Sequence, residues 1–203
     1  MSQRTFQAAV ARLVIEPDFR DSVRNGEPLA PANDLTELEQ QRLVAIASDR
    51  GVDAARMLHE SFRLSKIYKT LPLTRALLGR ARLTREISEF WRERPPVSHY
   101  FFEEATAFCE FLQRRVQSGL RVKYLREVLT YERAHLELQR PRTDGERSPR
   151  PEVVNFSCDA EVLFEQLLRG VRPRNVPAMS CVLTGRLGKD GEPHWRVVKN
   201  AQG

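Results

Sequence analysis

The sequence predicts an α+β protein in which an all-helical bundle is followed by a small β-α-β-β domain. Apolar residues recur every three or four positions through most of residues 1–138, as they do on one face of successive helices. Residues 139–151 combine prolines, a glycine and charges without a large apolar residue, which is typical of a linker. Beyond them, β-prone runs surround one short amphipathic stretch. We therefore expect a helical domain over 1–138, a linker over 139–151 and a small domain over 152–203.

Length and composition indicate a folded chain of one or two domains. Of its 203 residues, 41% are hydrophobic and 30% are charged, which excludes a disordered, collagen-like or disulfide-scaffold protein. The three cysteines, Cys109, Cys158 and Cys181, form no close pair, so we expect neither a secreted disulfide framework nor a zinc site built on CxxC spacing. No export signal and no run of about 18 apolar residues is visible. These features predict a cytoplasmic protein with no membrane partner.

The charge of the chain is moderately positive. Its 33 Lys and Arg residues exceed its 27 Asp and Glu residues by six, and a basic excess first suggests nucleic acid as a partner. The arginines are, however, interleaved with glutamates at helical spacing, which is typical of a solvated surface whose charges pair with one another. From charge alone we therefore do not expect nucleic acid as the partner.

Each predicted helix has apolar residues on one face and a helix-breaking residue near its end. In chain order, the apolar faces include Leu13, Val23, Leu43, Leu58, Leu77, Ile87, Phe108 and Leu129. Gly79 is expected to end the segment that follows Pro72, and a further helix is predicted to begin at Thr84. The most aromatic helix is predicted over residues 99–116, with Ser98 as its cap after two prolines.

In residues 152–203 the spacing of the apolar residues differs from that of the helical region. The predicted strands cover residues 153–156, 179–184 and 195–199. Asp159 can cap a helix that carries Leu163 and Leu167, and Asp190-Gly191 provides the positive φ angles that a hairpin turn needs. Because three short strands cannot close into a barrel, we expect an open sheet whose edges carry unpaired amides and carbonyls.

Motifs for catalysis are scarce. The sequence contains no phosphate-binding loop, nucleophile elbow, zinc helix or dinucleotide fingerprint. Glu132 and His135 have the Glu-x-x-His spacing by which di-iron bundles present ligands, but such a site needs a second pair and none occurs. A di-iron enzyme is therefore a weak alternative, and we interpret Glu132 as the partner of a nearby arginine and His135 as a partly exposed residue.

Two functions remain open for the tail. Basic and aromatic residues surround the predicted hairpin, as in the wing of a nucleic-acid-binding transcriptional regulator. These residues are Phe156, Arg186, Lys189, Trp195, Arg196 and Lys199. Asp190 and Glu192 nearly cancel their charge. An open sheet of this size is also suited to pairing with an extended peptide, whose main chain adds a strand.

Three segments resemble a known family. They are FWRERPPVSHYFFEEATAFCEFL (residues 90–112), VLTYERAHLEL (residues 128–138) and VVNFSCDAEVLFEQLLRG (residues 153–170). Together they are similar to the partner subunits of multinuclear non-haem iron-dependent oxidases, which modify cysteines in ribosomally made peptides. Such partners are often labelled DNA-binding, and their relatives include the companion subunits in methanobactin and 3-thiaglutamate biosynthesis.

The resemblance implies a non-catalytic subunit of a heterodimer. Its helical domain would clasp the oxidase, and its tail, similar to a winged-helix-like peptide-recognition element, would bind the leader of the precursor peptide by strand addition. The iron would belong to the oxidase, so we expect no catalytic residue, metal ligand or cofactor in this chain.

Candidate site residues follow from this hypothesis. For the peptide, we expect side-chain pockets and a floor formed by Cys181, Leu183, Trp195, Val197, Lys199, Leu163 and Leu167. For the oxidase, we expect contacts from Trp91, Phe101, Phe102, Phe108 and Phe111. Four phenylalanines in one helix exceed a single buried stripe, so at least one of them is predicted to be exposed.

Overall fold

The structure, a computed structural model, describes residues 2–27, 35–94, 101–140 and 150–199. Within these residues the chain forms eight helices and three strands. In chain order they are α1 (Ser2–Ile15), α2 (Pro17–Arg24), α3 (Glu37–Ser48), α4 (Arg50–Thr70), α5 (Pro72–Glu93), α6 (Phe101–Gln117), α7 (Leu125–Gln139), β1 (Glu152–Phe156), α8 (Ala160–Leu168), β2 (Cys181–Leu187) and β3 (Pro193–Lys199).

The predicted α+β fold is confirmed, with the helices first and a small antiparallel sheet at the end. One helix start differs from the prediction. Helical geometry resumes directly after Gly79 rather than at Thr84, because within α5 only Gly79 has non-helical angles, φ 68° and ψ 166°. Glycine adopts a positive φ without the steric cost that a side chain would impose. Ser98, the predicted cap of α6, lies outside the described residues.

The chain divides into two compact units, residues 1–65 with 94–97 and residues 66–93 with 98–203. These bounds differ from the predicted domains, because α5, α6 and α7 belong to the same unit as the sheet. In that unit, α7 packs against all three strands and α5 packs against α7 and α8. Most of the predicted linker, residues 141–149, lies outside the described residues.

The first unit consists of α1, α2, α3 and α4 as far as Ser65. Its apolar core includes the buried side chains of Leu13, Val23 and Leu43. Thr36 caps α3, since its hydroxyl accepts a hydrogen bond from the Glu39 amide at 3.3 Å. This unit contains none of the residues predicted to bind the peptide or the oxidase.

The second unit has a core that joins helices to the sheet. Leu73 of α5 and Val128 of α7 are buried in one cluster with Phe156, Leu163 and Leu183 from the tail. Helices and strands therefore share one core, and the sheet is not an independent domain.

The sheet has the order β1-β2-β3, and both neighbouring pairs are antiparallel. Along each strand, side chains alternate between an inner face, which packs on the helices, and an outer face. One inner row is Val154, Leu183 and Val197, in register across the three strands. Gly191, with φ 80°, lies in the predicted turn between β2 and β3, whereas Asp190, which was also expected to have a positive φ, does not.

Candidate functional site

The outer edge of β3 presents unpaired main-chain groups. The Gly188 amide donates to the Glu192 carbonyl at 2.8 Å across the hairpin turn. Because hydrogen-bonded and non-hydrogen-bonded residue pairs alternate along an antiparallel ladder, this bond fixes which residues of β3 bond to β2. The register of the two strands then places three residues of β3 with their amides and carbonyls directed away from β2, namely Trp195, Val197 and Lys199. Among the described residues, no main-chain group outside the ladder bonds to this edge.

The outer edge of β1 is also vacant. The same alternation, carried across β2, turns the amides and carbonyls of Val153 and Asn155 outward. Within the described part of the chain, no further main-chain hydrogen bond reaches β1. The sheet therefore has two edges to which another strand could pair.

Trp195 joins the β3 edge to α7. Its indole N–H donates to Nδ1 of His135 at 3.1 Å, and its ring centroid lies 4.8 Å from that of Tyr131. The indole also lies across Gly185 of β2, where a Cβ atom would meet three ring carbons at 2.7–2.8 Å. Glycine at 185 is therefore required by the position of the indole.

His135 is half-buried, and its protonation state is tied to Trp195. Burial lowers the pKa of His135 below its ordinary value of 6.5, against the opposing effect of the Glu192 carboxylate. In addition, only a neutral ring with its proton on Nε2 leaves Nδ1 free to accept the indole N–H. The folded state therefore favours neutral His135.

Acidification is expected to destabilise the protein through His135. As the pH falls below 6.5, the unfolded chain binds a proton before the folded one does, so stability is lost with falling pH. An NMR titration of the His135 ring should give a pKa below 6.5. Trp195→Phe removes the indole donor and should raise that pKa. A His135 that titrates at or above its ordinary value in the wild type would contradict this assignment.

An apolar cleft of about 530 Å³ lies beside Trp195 in the second unit. Its described lining consists of Lys69, Thr70, Pro72, Leu73, Phe102, Tyr131, Glu132, His135, Gln139, Phe164 and Leu168. The rings of Tyr131 and Phe164 make a tilted contact, with 4.6 Å between centroids and 45° between planes, and Leu168 is 71% exposed. A mostly apolar cleft with a few polar groups is suited to receiving a ligand side chain.

Glu132 is buried at the base of this cleft. Its Oε1 accepts from the Leu73 amide at 2.7 Å and its Oε2 from the Thr74 amide at 3.0 Å, so the carboxylate caps the start of α5 from another helix. Burial raises the pKa of Glu132 to about 7, although these hydrogen bonds favour the charged form. The interpretation of Glu132 as the partner of an arginine was wrong, because the amides of α5 occupy both oxygens.

Lys199, at the end of β3, is held by the start of α8. Its ammonium lies 2.6 Å from a Glu161 oxygen and 3.0 Å from Oδ2 of Asp159, and these hydrogen bonds raise the pKa of Lys199. Asp159 also accepts from the amides of Glu161 and Val162, as predicted for a helix cap. Lys199 thus offers its outward main chain to a ligand, while its ammonium already has two partners.

Four of the predicted peptide-binding side chains are buried in the core. These are Cys181, Leu183, Leu163 and Leu167, each no more than 2% exposed. The prediction that they shape pockets or a floor was wrong, since β2 packs against α7, α8 packs against α5, and all four side chains lie in one core cluster. Trp195 and Val197 are half-buried, which leaves part of each accessible.

The aromatic residues predicted to contact the oxidase have different surroundings. Phe108 and Phe111 are buried, with ring centroids 5.3 and 5.6 Å from that of Phe90, so their assignment to a partner surface was wrong. Phe102 is half-buried and lines the apolar cleft, and Trp91 is half-buried on α5. The side chain of Phe101 lies outside the described residues.

The described residues contain neither a metal-binding cluster nor a helix that could span a membrane. They contain no group of three or more His, Cys, Asp or Glu side chains placed to hold a metal ion. Glu132 and His135, the pair with di-iron spacing, bind the α5 amides and Trp195 instead. Among the same residues, no helix has both the length and the apolar character needed to cross a membrane.

Sequence reasoning missed the residues that connect the cleft to the sheet. Tyr131, Phe164 and Gly185 were not singled out in the sequence. A glycine inside a β-prone run does signal a close approach by another group, and here the group is the indole of Trp195.

Comparison of the chain with models of known families, with curated proteins and with solved structures finds no match.

Proposed function

We propose that this chain binds an extended peptide, which adds as a fourth strand to the outer edge of β3. The observation that carries the proposal is the row of outward amides and carbonyls at Trp195, Val197 and Lys199, to which no described main-chain group is bonded. Strand addition satisfies such groups in pairs, and its affinity comes mainly from these main-chain hydrogen bonds.

The apolar cleft favours β3 over β1 as the receiving edge. Trp195 contacts Tyr131 and His135, which both line the cleft, so a strand paired with β3 would have an apolar recess within reach of its inner side chains. On β1, the outward residue Val153 has its side chain on the solvent face and is 57% exposed. Side-chain burial beside β3 would add affinity and set the register of the peptide.

The expected ligand follows from this geometry. Alternate residues of the added strand face the inner side, where Phe164 and Leu168 offer apolar contacts. The intervening residues face the solvent side near Arg196 and Val198, which are exposed. We therefore expect a peptide with apolar residues at every second position over about four to six residues, the usual length of a short strand.

We further propose that the peptide is the leader of a ribosomally made precursor and that the chain presents it, in the cytoplasm, to a multinuclear iron-dependent oxidase. The support for this part is the resemblance of residues 90–112, 128–138 and 153–170 to the partner subunits of such oxidases. In this proposal the oxidase carries the iron and modifies the cysteine, while this chain is not catalytic. Co-purification of the two proteins as a heterodimer is the direct test of this part.

Proline substitutions at the two edges test strand addition. Val197→Pro removes an outward amide of β3 without removing a donor to β2, because the ladder bonds of β3 come from the neighbouring residues. Peptides would be selected on the wild-type protein from a displayed library of random sequences. We expect Val197→Pro to weaken the binding of a selected peptide, measured by calorimetry, by at least about tenfold, since it deletes a hydrogen bond and places a ring at the edge.

Val153→Pro is the matched control, because it removes an outward amide of β1 by the same chemical change. It should leave peptide affinity within about twofold of the wild type, as expected for a distant site. Amide hydrogen exchange should slow at Trp195, Val197 and Lys199 when the peptide binds. Loss of binding only in Val153→Pro would assign the peptide to β1, and a library that yields no binder would refute strand addition altogether.

A further inference from the structure

A second cleft, of about 820 Å³, lies elsewhere in the second unit and is strongly basic. It is lined by α5 on both sides of Gly79, by the segment 121–124 before α7 and by the segment 170–173 after α8. The basic residues of its lining are Arg80, Arg82, Arg85, Arg121, Lys123 and Arg172. Its described lining contains no acidic residue.

Most of these cations lack an acidic partner. Among the described residues, Arg80, Arg82, Arg121 and Arg172 take part in no ion pair or side-chain hydrogen bond, whereas Arg85 lies 3.7 Å from a Glu86 oxygen. Elsewhere in the fold, some arginines pair with a nearby glutamate, as Arg12 does with Glu16, Arg92 with Glu89 and Arg169 with Glu165. Others, such as Arg42, Arg126 and Arg196, form no ion pair within the described part of the chain. The cleft differs from these single sites because its cations converge on one lining that contains no described carboxylate. Since like charges at close range repel one another, a ligand with negative charge would relieve repulsion between the cations of this cleft.

The break at Gly79 adds to the positive potential. Helical geometry restarts after Gly79, so Arg80, Ala81 and Arg82 form the first turn of the second part of α5, and all three line the cleft. The first amides of a helix lack intrahelical acceptors and carry the positive end of the helix dipole. The main chain therefore favours a negatively charged ligand, as the guanidinium groups do.

The remaining lining favours a peptide over a nucleic acid. Leu77, Val122 and Pro173 provide apolar surface between the cations, which side chains of a peptide could contact. Single-stranded nucleic acids need a succession of aromatic faces for their bases. The described lining has one aromatic ring, Tyr124, and the Lys123 ammonium lies 4.7 Å from its centroid.

We propose that this arginine cleft binds an acidic peptide segment through pairs between its guanidinium groups and the carboxylates of Asp and Glu side chains. Guanidinium groups recognise carboxylates with two parallel hydrogen bonds, which gives geometric selectivity beyond charge. This inference goes beyond the proposed function, because it concerns a different surface from the edge of β3 and does not depend on strand addition.

Fluorescein-labelled hexaglutamate is a suitable probe, with binding measured by fluorescence anisotropy at low salt. Arg121→Ala/Arg172→Ala removes two exposed, unpaired cations that lie outside the helices, so the fold should be retained. We expect this variant to bind hexaglutamate at least about tenfold more weakly than the wild type, as for the loss of two charge-assisted contacts.

The matched control is Arg92→Ala/Arg169→Ala, which lowers the net charge by the same amount. Both of these side chains are 72% exposed and already paired, so the affinity for hexaglutamate should change by less than about twofold. Equal weakening in the two double variants would show a general charge effect and overturn the site, and so would the absence of binding to the wild type.

A single-stranded oligonucleotide of twelve nucleotides serves as the competing probe. If it binds more tightly than hexaglutamate and loses affinity only in Arg121→Ala/Arg172→Ala, the cleft is a nucleic-acid site and the peptide assignment is wrong. Val197→Pro should leave hexaglutamate binding unchanged, so that failure of the β3 proposal and failure of this one can be told apart.

Discussion

Glu132→Ala is expected to lower the free energy of unfolding by about 4 kcal/mol, since it leaves two buried amides without acceptors and opens a cavity. The carboxylate accepts from the amides of Leu73 and Thr74, at the start of α5, and is 3% exposed. Urea denaturation of the variant, monitored by circular dichroism, measures the loss.

Two further variants separate the cap from the volume of the side chain. Glu132→Gln retains the shape and one acceptor oxygen, but its NH₂ group faces an amide donor, so we expect an intermediate loss of about 2 kcal/mol. Glu137→Ala, on the same helix and without a side-chain hydrogen bond or ion pair to any described residue, should cost less than about 0.5 kcal/mol. If Glu132→Ala were no worse than Glu137→Ala, the amides of α5 would have other acceptors and the capping role would be wrong.

Gly185→Ala is expected to destabilise the protein by about 2–3 kcal/mol, because the new methyl group overpacks the sheet. The Cβ atom would meet ring carbons of Trp195 at 2.7–2.8 Å, so the indole must move. A displaced indole loses its hydrogen bond to His135 and its contact with Tyr131. The side of β3 that faces the apolar cleft would therefore change shape, and the proposed binding of a peptide to β3 should weaken together with stability.

A double-mutant cycle identifies the indole as the cause. In a Trp195→Ala background, Gly185→Ala meets no ring and should be neutral or stabilising by about 0.5 kcal/mol, as expected when alanine replaces glycine in a strand. The coupling between the two positions is then about 2–3 kcal/mol in urea denaturation. If Gly185→Ala cost the same in both backgrounds, the requirement for glycine would have a cause other than Trp195.

The local elements were predictable because their signals lie within short stretches of chain. The capping position of Asp159, the amphipathic pattern of α8 and the Asp190-Gly191 turn each depend on neighbours within about four residues, and backbone geometry links such neighbours directly. Period-two alternation also separates the inner row of the sheet from the outer row.

The candidate site was predicted less well, because burial on one face does not reveal what covers it. Cys181 and Leu183 were assigned to pockets, but α7 packs against β2 and both side chains are buried. Phe108 and Phe111 looked like surplus aromatics, but α5 supplies Phe90 to pack against them. In each case the deciding partner is distant in sequence, and an amphipathic pattern does not specify its partner.

By itself, the sequence determined the α+β class, the order of the elements and the open sheet, since these depend on hydrophobic periodicity, turn residues and strand number. Only the tertiary structure decided which main-chain groups stay unpaired, that Glu132 caps α5, and that unpaired arginines from three separate segments line one cleft. The physical reason is that hydrogen bonds and charges act over a few ångströms in space, while the residues that they join lie tens of positions apart along the chain.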